Sequence, residues 1–349
     1  MSFTVNRDIE EIYLKMEPSL KKLSGKTVLI TGAAGFLGRY FLSVFARANK
    51  SLDIPIKMIG IDNYITSSKY YSETNYRNLP NLDWIHGDAQ IASQLPNKFD
   101  FILHAAGVAS PQHYRANPLL TIDVTVNVTR LLLERAKTDN SRMLFFSSSE
   151  IYGDPAPHSV PTSEEYRGNV SVRGPRACYD ESKRLGETLC WIYQTYYGTN
   201  IFVVRPFNVY GPGMMPTDYR VLPNFAAAIN EGRALNVYGD GLQTRTFCYI
   251  TDAIVGFLKV LLDAPAPDVY NIGNPKPEIS MLDLVQEIRK IIGRNIQLIK
   301  VDYPESYPAD EPSRRCPDIT KAQSMLSFNP EVSLRQGLTR FLDWTSNNY

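Results

Sequence analysis

A short apolar run that ends in a glycine-rich turn and reopens as a helix constrains this chain most. Lys26-Thr27-Val28-Leu29-Ile30 reads as a buried strand, and Phe36 to Ala48 carries the apolar spacing of a helix. Between and overlapping them lies Thr31-Gly32-Ala33-Ala34-Gly35-Phe36-Leu37-Gly38. Glycines here allow a tight turn, close approach of backbone to a ligand, and helix–strand packing. The helix N-terminus beyond them offers unpaired N–H groups and the positive end of a dipole to an anion such as a pyrophosphate. The spacing is G-x-x-G-x-x-G, not the commoner G-x-G-x-x-G, so the strand–turn–helix context carries the reading.

The same alternation continues downstream. Ile56 to Ile61, Phe99 to His104, Arg142 to Ser147 and Ile201 to Arg205 read as strands, with Leu119 to Lys137 and Asp180 to Tyr197 as helices. Short apolar runs separated by helical patterns predict an α/β protein: a Rossmann-like, doubly wound parallel sheet. After Pro206 proline and glycine become dense, which predicts a smaller, discontinuous C-terminal substrate-binding domain. The expected division is an N-terminal helical extension over 1–25, a dinucleotide-binding domain over 26–205 plus 241–271, and a substrate domain over 206–240 plus 272–349. In the extension, Ile9, Ile12, Tyr13, Met16, Leu20 and Leu23 recur at roughly helical spacing and predict an amphipathic helix packed on the body or on a partner.

Composition excludes several classes. With 349 residues and a net charge of +1, the chain has room for a large core and no electrostatic case for nucleic acid or membrane binding. No apolar run approaches the ~20 residues that span a bilayer. The charged N-terminus lacks the apolar stretch of a signal peptide. Cys178, Cys190, Cys248 and Cys316 show neither metal-ligand spacing nor a disulfide framework. A reducing, cytoplasmic setting and no metal are therefore expected.

Three further features carry chemistry. Asp62 ends the second strand, where a carboxylate accepts hydrogen bonds from ribose hydroxyls and repels a 2′-phosphate; with its neighbour Asn63 it favours NAD over NADP. A plain turn residue at a strand end is the alternative. Asp88 and Ala89 follow the next segment, as a cap or as an adenine contact. His104-Ala105-Ala106-Gly107 closes a strand with small residues that let a cofactor lie against the backbone. Tyr179 and Lys183, at i and i+4, share one helix face. A phenol of pKa near ~10 is a poor base at neutral pH, and a nearby ammonium lowers that value. Such a pair can take a hydroxyl proton while a hydride leaves the same carbon; the spacing alone more often marks a solvated helix face.

Taken together, TGAAGFLG, HAAG, SSSEIYG and YDESK resemble the extended short-chain dehydrogenase/reductase superfamily, the NAD-dependent epimerases and dehydratases of nucleotide sugars. Within it the chain is most similar to the UDP-glucuronate decarboxylases (UDP-xylose synthases). That likeness rests on Ser110-Pro111 with Tyr114, on SEIYGDP, GPRACYDESKR, RPFNVYGP and VYGDGLQTRTFCYITD, and on DEPSRRCPDITKA. The resemblance implies a tightly bound NAD, with Tyr179 as base for the sugar 4-hydroxyl and Lys183 on the nicotinamide ribose. Oxidation at C4 makes a C6 carboxylate a β-keto acid that loses CO2, after which the hydride returns.

The resemblance also bears on the choice of reaction. Dehydratases of the superfamily carry Asp-Glu where this chain has Ser149-Glu150, and simple 4-epimerases carry a small residue in place of Glu150. Ser148 replaces a threonine and keeps its hydroxyl. Glu150 then acts beside C5, or is a salt-bridged strand-end carboxylate. Arg245 matches an arginine near the sugar carboxylate, with a phosphate contact as its rival. Tyr114 helps to hold the carboxylate, and Asn208, Arg220, Tyr238 and Arg315 match positions contacting the nucleotide diphosphate. A homodimer through a helix bundle (Leu119 to Lys137 with Asp180 to Tyr197) is implied. The chain departs from the pattern at Thr125 and Val128, where relatives carry asparagine and glycine, and in the Tyr64 to Arg77 loop. The alternatives are a 4-epimerase, 4,6-dehydratase or 4-dehydrogenase on the same scaffold and, from a different class, a redox-inactive NAD-binding sensor.

Overall fold

The computed structural model describes residues 3–67, 76–303 and 312–349. Its main sheet contains β1 (Thr27–Thr31), β2 (Lys57–Asp62), β3 (Leu82–His86), β4 (Phe101–His104), β5 (Arg142–Phe146), β6 (Ile201–Pro206) and a seventh strand, Val269–Ile272. From one edge the order is Val269–Ile272, β6, β5, β4, β1, β2, β3, with every pairing parallel. Val28, Leu29 and Ile30 are all fully buried, as a strand covered on both faces requires. One face packs Phe41, Phe45, Phe146 and Phe257; the other packs Ile59, Phe99, Leu132, Phe145 and Cys190. The expected doubly wound sheet is therefore present. Strand order reverses between β1 and β4, and the crevice outside their carboxyl ends is where such sheets bind ligands.

Small sheets surround this one. Val209–Tyr210 pairs with Cys248–Tyr249, and Leu235–Tyr238 with Leu298–Val301. Thr244–Arg245 lies between Ile279–Ser280 and Arg314–Arg315, in a register that sets Arg245 opposite Arg315. Two arginines far apart in sequence thus become neighbours through backbone pairing.

Helix α1 (Phe3–Leu20) buries Ile9, Ile12, Tyr13, Met16 and Leu20 as their spacing predicts. It packs on α2 (Phe36–Ala48) and on the helix Ile250–Asp263. Arg47 of α2 donates to both Glu10 oxygens at 2.6 and 2.8 Å, and Arg340 to both Glu11 oxygens at 2.7 and 2.9 Å. Among the described residues no helix is long and apolar enough to cross a membrane.

Two segments differ from expectation. β3 was not evident because Leu82-Asp83-Trp84-Ile85-His86 is a half-buried edge strand with a charge in it. The single helix expected over Leu119 to Lys137 is instead Pro118–Ile122, a π turn over Asp123–Asn127, and Val128–Asp139. Ile122, Val124, Thr125, Val126, Val128 and Thr129 crowd this stretch with β-branched side chains, which fit a helix less well. The widened turn coincides with the Thr125 and Val128 departures. Of the Tyr64 to Arg77 loop, residues 68–75 lie outside the described residues; Tyr64 stacks on Trp84, whose indole N–H donates to its hydroxyl at 2.7 Å.

Asp8 on α1 is fully buried, accepts from the Tyr249 hydroxyl at 2.7 Å and lies 3.4 Å from Arg340. Burial raises its pKa from 3.8 to about 6, against the Tyr249 bond and the arginines. The folded chain therefore holds this proton more tightly than the unfolded one. The resulting stability is complete below pH 3.8 and is lost as pH rises through about 6. Melting temperatures of the unmodified chain and Asp8→Asn, measured from pH 4.5 to 7.5, are expected to diverge in favour of the variant as pH rises, by up to ~2 kcal/mol in stability.

Candidate active site

A cleft of about 800 Å³ opens at the carboxyl end of the sheet. Gly32, Gly35, Phe36, Leu37, Gly38 and Ala105 form one wall, and Ser148, Ser149, Glu150, Tyr179 and Lys183 stand at its centre. Tyr114, Asn208, Arg220, Tyr238, Arg245 and Arg315 line the remainder. The structure thus gathers these expected residues around one space.

The glycine turn fits a dinucleotide for a steric reason. Gly32 has φ +71°, and a Cβ there would lie 2.6 Å from the Ala106 nitrogen. A Cβ on Gly38 would lie 2.2 Å from the Gly32 carbonyl oxygen. Only glycine lets β1, the β4 end and α2 converge this closely. Asp62 stabilises the turn: its carboxylate accepts from Ala34 N–H at 2.9 Å, Tyr64 N–H at 2.8 Å and the Ser67 hydroxyl at 3.2 Å. Burial raises its pKa and these bonds oppose the rise. Asp62, Asn63, Asp88, Ala89 and Ala106 are not on the described cleft wall. Asp88 takes the capping alternative, accepting from Gln90 N–H at 3.0 Å at the head of the turn Ala89–Gln94.

Two hydroxyls on the cleft, Ser110 and Ser147, are buried and have no hydrogen-bond partner among the described residues. Leaving a buried hydroxyl unpaired costs free energy, so such groups in a cleft fit a polar ligand. The close-packed glycines, the helix N-terminus and these hydroxyls together fit a dinucleotide bound along the carboxyl edge of the sheet.

Tyr179 and Lys183 lie on one buried face of the helix Ala177–Tyr197. The Tyr179 ring stacks on Tyr114, with centroids 5.3 Å apart and planes 18° from parallel. Tyr114 is therefore a platform for Tyr179. The expected tuning by Lys183 needs correction. Burial pushes the Tyr179 phenol up, and the opposing influences are a hydrogen bond from Ser148 and the charges of Arg220 and Arg176; Asp180 adds to the rise. Lys183 instead donates to the Phe146 carbonyl at 2.7 Å, and burial lowers its pKa to about 8. Its ammonium lies 5.8 Å from the Tyr179 ring centroid.

Ser148 caps the short turn Ser149–Tyr152, accepting from Glu150 N–H at 3.2 Å. This turn presents Glu150 to the cleft. Its carboxylate accepts from both Arg176 and Arg315, the second Arg315 bond being 2.8 Å. Arg315 was expected on a diphosphate and is here paired with Glu150. Arg245 is buried beside it and donates to its neighbour Thr244 O at 2.8 Å. Arg220 pairs with Asp218, Asn208 donates to Thr246 O at 2.8 Å, and Tyr238 stacks on Tyr303.

Sequence reasoning missed Arg176 and His104. Arg176 stands three residues before Tyr179, so helical spacing placed it toward the same face. His104 is fully enclosed: its Nδ1 lies 2.8 Å from Thr31 Oγ1, and its Nε2 lies 3.3 Å from Val124 O and 3.1 Å from Thr129 Oγ1. A carbonyl only accepts, so Nε2 carries the proton toward Val124 and Nδ1 receives the Thr31 hydroxyl. Burial, helped by Lys183, lowers its pKa to about 3 and keeps it neutral. His104 thereby ties the ends of β1 and β4 to the π turn.

Residues 28–273 match the model of the NAD dependent epimerase/dehydratase family. The chain belongs to that family. It is an NAD-dependent enzyme on a Rossmann-like scaffold, and its curated relatives are nucleotide-sugar enzymes. UDP-glucuronic acid decarboxylase 6 of Arabidopsis thaliana is 38% identical over 315 residues, covering 90% of this chain and 87% of that protein. UDP-glucuronic acid decarboxylase 1 of Xenopus tropicalis is 36% identical over 341 residues, covering 97% and 77%. Among solved structures, the UDP-glucuronic acid 4-epimerase of Bacillus cereus, in complex with UDP-glucuronic acid and NAD, superposes with a TM-score of 0.76 at 27% identity, covering 93% of this chain and all of that one.

Gly32→Ala is expected to weaken NAD retention at least ~10-fold, or about 1.4 kcal/mol. Dinucleotide released on denaturing the purified protein, set against unchanged far-ultraviolet circular dichroism, checks this.

Proposed function

We propose that this chain decarboxylates UDP-glucuronate to UDP-xylose. The observation that carries the reading is Glu150, held between Arg176 and Arg315 on the wall of the cleft that also contains Tyr179. With Arg245 the cluster has three buried guanidiniums against the two carboxylates of Glu150 and Asp180, an excess of positive charge that suits an acidic sugar on a diphosphate. The curated relatives named above support the same substrate.

NAD, when bound, accepts a hydride from the sugar C4 and later returns it. Tyr179 takes the 4-hydroxyl proton, with Ser148 donating to the phenolate as it forms. Lys183 holds the nicotinamide ribose, and Asp62 orients the adenosine end of the cofactor through the turn that it braces. Arg245 holds the C6 carboxylate next to Tyr114, and Arg220, Asn208 and Tyr238 bind the diphosphate and nucleoside. Ser149 beside Glu150 leaves no acid placed for a departing hydroxyl, which disfavours dehydration. Glu150 stands where a proton is exchanged at C5. Four cysteines without a disulfide pattern fit a cytoplasmic enzyme.

A second reading, 4-epimerisation of UDP-glucuronate, uses the same binding residues and has support in the Bacillus cereus structure. Incubation of the purified protein with UDP-glucuronate separates the two: CO2 and a UDP-pentose are expected, and recovery of a uronate epimer would replace the first reading by the second. Tyr179→Phe is expected to lower turnover by at least ~100-fold while the protein keeps its NAD, since a positioned base contributes on that scale. A dinucleotide-binding sensor would keep its function in that variant.

The chain pairs as a homodimer through the segments Leu119 to Lys137 and Asp180 to Tyr197. Leu119, Leu185 and Trp191 on these segments are 74%, 48% and 53% exposed, and large apolar side chains left in water suit an interface. Leu119→Glu combined with Leu185→Glu is expected to halve the mass measured by light scattering.

A further inference from the structure

Glu150 touches two spaces. One is the cleft; the other is a separate hollow of about 10 Å³ lined by Asn169, Ser171 and Asp180, together with Arg176 and Arg315 from the cleft side. That volume holds about one water molecule, and its lining supplies the several polar partners that a water needs. Asn169 and Ser171 are exposed at the rim, whereas Arg176, Asp180 and Arg315 are buried at the floor. The hollow therefore runs from solvent to the back of the Glu150 carboxylate. Its rim is held in place: Asn169 N–H donates to Tyr152 O at 2.9 Å, and Asp154 N–H donates to Asn169 O at 3.2 Å. A Cβ on Gly153, which has φ +62°, would lie 1.8 Å from the Asn169 carbonyl oxygen, so only glycine brings the rim this close.

Decarboxylation creates a demand that the other reactions on this scaffold lack. The bond between C5 and the carboxyl carbon breaks, CO2 leaves, and the electron pair passes into the 4-ketone as an enolate. A new C5–H bond then forms with a proton that the substrate did not bring. The sum is R–COO⁻ plus H⁺ giving R–H plus CO2, with the hydride and the 4-hydroxyl proton both returned. Epimerisation and dehydration consume no net proton. In this chain Glu150 accepts from two guanidiniums, and an ionised carboxylate is an acceptor only. It must receive a proton before it can give one.

We propose that the hollow behind Glu150 is a proton inlet, through which water recharges this carboxylate once per turnover while substrate fills the cleft. The inlet rests on the decarboxylase reading. Asn169 and Ser171 are positioning residues for the water, and Asp180 lines the floor of the hollow beside Arg176.

Ser171→Phe blocks the rim with bulk, and Asn169→Leu removes a polar partner without it. Both are tested in the NAD-loaded protein, in excess over UDP-glucuronate, with CO2 and UDP-pentose measured separately over a single turnover, in H2O and D2O. CO2 leaves before C5 is protonated, so CO2 is expected to appear at the unmodified rate while UDP-pentose lags at least ~10-fold, the low side of what a general acid contributes. The solvent isotope effect on pentose formation is expected to rise. Equal rates for the two products in both variants, whether unchanged or slowed together, overturn the inlet alone. An unmodified chain that releases no CO2 overturns it together with the decarboxylase reading. Retained NAD and melting temperature verify folding, and if Ser171→Phe fails that check, Asn169→Leu decides.

Discussion

The close approach of β1, β4 and α2 at Gly32 and Gly38 is the constraint on which the rest of the site depends. A single methyl group at either position would overlap backbone atoms that themselves have no freedom to move. Because the approach is met, the helix N-terminus faces the cleft and the β4 end lies flush against it. Asp62 and His104 then stabilise this arrangement from behind. Asp62 binds the turn through Ala34 N–H, and His104 links Thr31 at the end of β1 to the Val124 carbonyl. Both are buried polar groups whose bonds go to backbone or to hydroxyls. Their contribution is to hold the cleft open before any ligand arrives, which is the sense in which preorganisation saves binding energy.

A second layer of order is electrostatic. Glu150, Arg176 and Arg315 come from three distant segments: the turn after β5, the head of the helix that carries Tyr179, and a short strand near the C-terminus. A partly buried carboxylate with one guanidinium removed is costly, so each member stabilises the placement of the others. Arg245 is brought to the cluster by backbone pairing with Arg315. The site is thus assembled by the folding of the smaller C-terminal elements onto the sheet. That couples the geometry at Glu150 to segments that do not touch the dinucleotide.

Much of this was legible in the sequence where the signal was local. The glycine turn, the buried strands β1, β4 and β5, and the apolar stripe of α1 are all set by residues near one another in the chain. Tyr179 and Lys183 share a face because helical periodicity fixes it. What was not legible depends on tertiary context. No spacing rule says that Lys183 will spend its ammonium on the Phe146 carbonyl, or that Ser148 and two arginines will face the Tyr179 phenol instead. The π turn at Asp123–Asn127 is likewise a compromise between β-branched crowding and the demand of His104 for a carbonyl 20 residues away. Arg315 read as a phosphate ligand from its motif, but its partner Glu150 lies 165 positions away in the chain.

The pairing of Glu150 bears on how one scaffold supports different reactions. Oxidation at C4 needs only a base, a ribose anchor and a dinucleotide, and those parts lie on the sheet and on the helix Ala177–Tyr197. The fate of the 4-ketone is decided by what surrounds C5 and C6, and on the proposed reading that surface is built from the turn at Ser148–Glu150 with Arg176, Arg245 and Arg315. An acid in place of Ser149 would assist loss of a hydroxyl; a small residue in place of Glu150 would leave room for the ring to turn over. A carboxylate fixed between two guanidiniums does neither. On the proposed reading it stands beside the carbon that loses CO2 and passes a proton to it. Selectivity among reactions then follows from which face of the ketone is crowded and which is supplied with a proton, while the oxidation step stays the same.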